Sequence, residues 1–147
     1  MGLIVQKFGG SSVADKERLF HVAGIVTDCR KEGNSVVVVV SAQGDTTDEL
    51  IEKAKEINEN PSRREMDMLL ATGEQMSASL LAMAIGKLGY PVVSLSAFQV
   101  GIHSDSNYGN ARIKTIDTER LTHELEAGKI IIVTGFQGIN RYDDITT

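Results

Sequence analysis

The chain has 147 residues, 15 Lys and Arg against 20 Asp and Glu for a net charge of −5, and is 41% apolar and 5% aromatic. That length suits one domain with a real core, and the acidic balance argues against a general binder of nucleic acid or anionic membrane, so an anionic ligand needs a local device. A single cysteine, Cys29, excludes a disulfide framework, and with no basic-then-apolar leader or apolar run of membrane length the chain reads as cytoplasmic.

Leu3 to Phe8 reads as a strand. Leu19, Val22, Ala23, Val26 and Cys29 then share one helical face that stops near Gly33, with Cys29 as a core thiol. The run "SVVVVVS" is typical of a strand buried on both faces of a parallel sheet. "TTDELIEKAKEINEN" reads as a helix with a capping box at Thr46-x-x-Glu49. Pro61 and Ser62-x-x-Glu65 announce a shorter helix through "MDMLLA". A further helix begins at "TGEQ" and runs to Gly89, with Leu81, Ile85 and Leu88 on one side. "PVVSLS" is the next strand, Gln99 to Gly109 a polar loop and "ARIKTID" a strand. A helix near Glu119 to Glu126 and the strand and glycine turn "KIIIVTGFQG" follow. This alternation predicts parallel βαβ units in a three-layer αβα sandwich with a mainly parallel sheet. There is no internal repeat or linker. The chain stops at "RYDDITT" without a closing helix, so the sheet is expected to be incomplete at the C-terminal side, where open α/β sheets bind ligands.

The stretch "IVQKFGGSSV" carries the first chemical signal. Lys7 ends a strand on the site side, Gly9 and Gly10 let an oxyanion approach the main chain, and Ser11 and Ser12 precede a helix whose free N–H groups attract phosphate. It matches neither the Walker loop nor the dinucleotide fingerprint, since the lysine precedes the glycines. The plain alternative is a turn whose glycines serve only positive φ, with Lys7 a solvated strand end.

"KFGGSSV" resembles the signature of aspartate kinases, in the amino acid kinase superfamily. The likeness continues through "VVVVVSAQGDTTDEL", "REMDMLLATGEQMSASLLAMAI", "GNARI" and "VTGFQGI", over essentially the whole chain. Ser11, Gln43 and Asp45 depart from the commoner threonine, methionine and lysine, and Asp45 adds negative charge near the expected site.

The resemblance implies transfer of the ATP γ-phosphate to the β-carboxylate of L-aspartate, with Mg2+ carried by the nucleotide phosphates. It makes Lys7 the catalytic contact to the moving phosphoryl group, with Phe8, Gly9, Gly10, Ser11, Gly135 and Gly138 around ATP. Ser41, Thr47 and Glu74 surround aspartate, Glu74 taking its ammonium group. For Thr47 the alternative is helix capping, and for Glu74 a favourable place in a first helical turn. No metal-ligand set is expected; His21 and His123 fall on helices and His103 in a loop. The chain matches the N-terminal portion of such a catalytic domain, without the ACT regulatory domains. It is therefore expected to be inactive alone and oligomeric in a full-length form. The rivals are another amino acid kinase, or a non-catalytic phosphate-binding or interaction module.

Overall fold

The computed structural model describes residues 2–147. Its backbone is a four-stranded parallel sheet in the order β1-β2-β6-β3, where β1 is Leu3–Phe8, β2 Ser35–Val40, β3 Val92–Leu95 and β6 Ile130–Thr134. Period-2 alternation divides the valines and isoleucines between two cores. Val36, Val38, Val40, Ile130 and Ile132 face helices α1 (Lys16–Lys31) and α3 (Arg63–Lys87). Val37, Leu95, Ile131 and Val133 face Val100 and the partly buried Leu121 and Leu125 on the other side. Each fully buried side chain of this kind contributes about 1.5–3 kcal/mol. The three-layer αβα arrangement read from the sequence is the one found. β1 lies at the edge, and on one of its faces Leu3 and Val5 are 59% and 63% exposed.

Most helix ends follow local chemistry. Asp15 caps α1 by accepting the Arg18 N–H at 2.9 Å, and Gly33, with φ at 92°, ends it. Ser62 caps α3 by accepting the Glu65 N–H at 3.3 Å. Helix α2 (Thr46–Ile57) departs from expectation: Asp45 stands at its N-cap, no side chain caps it, and Thr46 is its first helical residue. The capping box at Thr46 is absent, and Thr47 is the second helical residue.

The two helices expected between Ser62 and Gly89 are one, the 25-residue α3. Thr72 donates its hydroxyl to the Leu69 carbonyl within the helix, and Gly73 is a packing residue there, not a break. By length and composition α3 could cross a membrane, so the expectation of no apolar run of membrane length does not hold. Half of its most apolar window is buried inside the chain.

Gln99 to Gly109 is also more ordered than a loop. A capping box at Ser96 and Gln99 opens the short helix α4 (Ala97–Val100), and β4 (Ile102–Ser104) follows and contains His103. β4 belongs to a second sheet in the order β5-β4-β7-β8, with β5 Ile113–Ile116, β7 Gly138–Ile139 and β8 Ile145–Thr146. Helix α5 is Glu119–Glu126, as read. Cys29 is only half-buried, at the margin of the first core.

Candidate functional site

Because β1, β2 and β6 are parallel, Phe8, Val40 and Thr134 end on the same side of the sheet, the side where open α/β sheets take ligands. Main-chain bonds tie the three following loops together. Ser41 N donates to Phe8 O at 3.3 Å, Gly135 N to Val40 O at 2.9 Å, and Gly44 N to Gly10 O at 2.9 Å. The structure thus gathers Lys7, Phe8, Gly9, Gly10, Ser41 and Gly135 at the carboxyl end of the sheet, with Glu74 bonded to the loop after β2 and Thr47 in the first turn of the α2 helix that follows that loop.

Lys7 is exposed and, among the described residues, forms no ion pair, so its charge is available to a ligand. Neither Gly9 nor Gly10 has positive φ. Gly10 is required by proximity instead, since a Cβ there would lie 2.5 Å from the Ala42 carbonyl oxygen, while one on Gly9 would meet open space. Ser11 is exposed in a 3-10 turn over Gly10–Val13. The expected helix N-terminus behind it is not free for phosphate: α1 starts later, and the Asp15 carboxylate already occupies its first turn.

Glu74 departs furthest from the simple alternative. It lies in the middle of α3, only 2% exposed, not in a first turn. Its Oε1 accepts the Ala42 N–H at 3.2 Å, and among the described residues its buried Oε2 accepts no hydrogen bond. Burial pushes its carboxyl above the ordinary glutamate value, opposed by its own backbone N–H and that of Ala42. Ser77 Oγ, one turn further along α3, and Thr134 Oγ1 at the end of β6 are also buried without partners. Sequence reasoning missed Ser77, Thr134 and Ala42; a small polar residue inside an apolar run was the only signal for the first two, and nothing local marked Ala42, which acts through its backbone N–H.

The Gly135–Gly138 turn closes the site beside Val40. A Cβ on Gly135 would come within 3.0 Å of Val40 O, and one on Gly138 within 3.2 Å of Ile102 O. Between them Phe136 holds φ at 67°, and Gln137 donates to Ala71 O at 3.3 Å, anchoring the turn to α3. The turn borders a hollow of about 460 Å³ floored by Val39 and Val133. Gly138 faces the small sheet rather than the Lys7 loop. Among the described residues no three His, Cys, Asp or Glu side chains cluster as a metal site. A larger hollow of about 780 Å³, between α4 and α5, contains none of the predicted site residues.

The sequence profile of the amino acid kinase family matches residues 2–146. Aspartokinase from Bacillus sp. (strain MGA3) is 55% identical over 147 residues, all of this chain and 36% of that protein. Aspartokinase 2 from Bacillus subtilis (strain 168) is 54% identical with the same coverage. The crystal structure of aspartate kinase from Synechocystis superposes with a TM-score of 0.82 at 45% identity, covering 99% of this chain and 23% of that one. E. coli aspartokinase III, solved in complex with aspartate and ADP, gives 0.83 at 21% identity over 97% of this chain and 42% of that one, a likeness of fold. The chain spans about a third of the length of the curated relatives it matches.

Proposed function

The chain belongs to the amino acid kinase family, and from that premise we propose that it forms the N-terminal part of an aspartate kinase. The reaction moves the γ-phosphoryl group of ATP to the β-carboxylate of L-aspartate. The relatives named aspartokinase at 54% and 55% identity support this reading. The observation that carries it is the pairing, at the carboxyl end of the sheet, of a lysine beside a glycine cradle with a buried carboxylate, the lysine without an ion pair and one carboxylate oxygen without a hydrogen bond among the described residues.

The acceptor is a side-chain carboxylate of the aspartate type, which titrates at about 3.9 in water and is ionised at neutral pH, so no general base is needed. The protein's task is to hold two anions in line and neutralise their repulsion. Lys7 supplies a compact positive charge to the moving phosphoryl group, and the backbone at Phe8, Gly9, Gly10 and Gly135 lets phosphate oxygens come close; Ser11 and Gly138 stand at the margins of this cradle. Ser41 and Thr47 present hydroxyls to the acceptor, and Glu74 Oε2 receives its ammonium group in a charge-assisted bond. Mg2+, when bound, offsets phosphate charge. We assign that cation to the nucleotide's own oxygens and water, with at most one or two carboxylates. We place the enzyme in the cytoplasm, as an oligomer in its longer form.

Glu74 gives the reading a pH signature. Its folded-state pKa is raised, so the stability it confers is present below the ordinary glutamate value and lost as pH rises through the raised value. An ammonium ligand reverses that penalty by favouring the ionised form. Aspartate affinity therefore falls on acidification from a higher pH than an ordinary glutamate would give.

The test uses these residues followed by the remainder that the longer relatives carry, with aspartyl phosphate trapped by hydroxylamine. Lys7→Ala should lower kcat by about 10²-fold, the scale for one preorganised transition-state contact. Turnover within a few-fold of the parent enzyme rejects the assignment.

A further inference from the structure

We infer that Gly73 and Ala42 form a positioning contact that fixes the Glu74 carboxylate. The functional part of this inference rests on the reading of Glu74 as the ammonium-binding group.

Glycine in a helix interior costs about 1 kcal/mol relative to alanine, so Gly73, at the centre of the 25-residue α3, needs a reason. Its φ is not positive, which removes the conformational one. The reason is proximity. A Cβ on Gly73 would lie 2.8 Å from Ala42 Cβ, 3.5 Å from Thr46 Cγ2 and 3.8 Å from Leu50 Cδ1. The helix is thus pressed against the loop that follows β2 and the first turns of α2. That approach brings the Ala42 N–H within 3.2 Å of Glu74 Oε1, the one hydrogen bond its carboxylate receives from another of the described residues. At 3.2 Å the bond is already long, and a loop pushed back by a few tenths of an ångström would lose it. Gln137, bonded to Ala71 O, holds the same stretch of α3 from the β6–β7 turn.

Ala42 is confined from the other side as well. Its carbonyl oxygen occupies the space a Cβ on Gly10 would need, at 2.5 Å, and Gly10 O accepts the Gly44 N–H. One buried alanine is therefore wedged between two glycines, one in the lysine-glycine loop and one in α3. Through it, the loop that approaches phosphate and the carboxylate that takes the ammonium share a single spacing. Local propensity and this wedge predict opposite signs for Gly73→Ala: helix formation alone would stabilise the chain, whereas contact with Ala42 destabilises it.

The experiment follows the Glu74 carboxyl by 13C NMR, and the Ala42 amide by hydrogen exchange, in the chain itself without ligand. The carboxyl accepts the Ala42 N–H, and burial and backbone N–H groups, with no charged side chain, set the direction of its shift. Gly73→Ala should move its titration midpoint upward, because a bond that favours the ionised form is lost. It should also speed Ala42 exchange about tenfold. Adding Ala42→Gly removes the opposing methyl and should restore both values, which a general loss of stability would not do. Unchanged titration and exchange in Gly73→Ala overturn the inference. If that variant fails to fold, a double variant that folds with the parent midpoint supports the wedge, and one that stays unfolded or shifted overturns it. A separate titration with L-aspartate against succinate, which lacks the ammonium group, tests the Glu74 reading and can fail independently.

Discussion

The two sheets of this molecule are held by different physics. The parallel sheet is fixed by burial: every residue of β6 is buried, and Val36, Val38, Ile130, Ile131 and Ile132 are 0% exposed. The small sheet is fixed by polar bonds. All of β5 is exposed, and β7 and β8 have two residues each. Ser104 Oγ and Thr146 Oγ1 meet at 2.6 Å across it. Asp67, buried in α3, accepts the Gly109 N–H at 2.9 Å, the Thr147 N–H at 3.1 Å and the Thr147 hydroxyl at 2.6 Å. Asp144 accepts from Arg64 Nη2 and the Tyr108 hydroxyl, both at 2.7 Å. A packed apolar core carries the stability of the whole and is lost cooperatively, whereas a polar tether can be cut one bond at a time.

The largest expected effect is therefore in the parallel sheet. Ile132→Ala, in the strand flanked by β2 and β3, should cost about 2–5 kcal/mol, a large share of a typical domain's stability. Urea denaturation should show one cooperative transition at lower midpoint. A loss below about 1 kcal/mol would mean the core relaxes into the gap. Asp67→Ala should cost less, about 1–3 kcal/mol. Its mark should be local: faster hydrogen exchange over residues 138–147 with β2 and β6 unchanged. Uniform acceleration would show that the two sheets form a single cooperative unit.

The smallest effect is a pH dependence. The Arg64 hydrogen bond, and next that of Tyr108, hold the Asp144 carboxyl below its ordinary value. A depressed carboxylate adds stability that is present above its unfolded pKa and lost as pH falls through the folded one. Protection of β8 should thus decline on acidification below the ordinary carboxylate range, with the parallel sheet trailing. Asp144→Asn should remove that dependence.

The same contrast explains what could be read in advance. β1 and α5 were legible at their observed bounds, and β2 and β6 inside slightly longer stretches, because their signal is local: apolar runs, period-2 and helical spacing. The small sheet was not, since β4, β7 and β8 are too short to show a period and their partners are distant in sequence. Gly73 misled because glycine usually punctuates, and only the approach of Ala42 explains one inside a helix. At the site, Lys7 and the glycines stood out from their place after a strand. Glu74 was named through resemblance; its burial and its bond to Ala42 depend on a loop 32 residues away and were invisible locally.

The central claim is that the carboxyl end of the sheet carries two complementary half-sites, a cationic glycine loop at Lys7 and a buried acid at Glu74. An amide NMR titration of this chain tests it most directly. Added ATP with Mg2+ should shift Gly9, Gly10 and Gly135, and L-aspartate should shift Ala42, Thr47 and Glu74. Shifts that gather instead in the hollow between α4 and α5, around Phe98, His103 and Arg120, would contradict it.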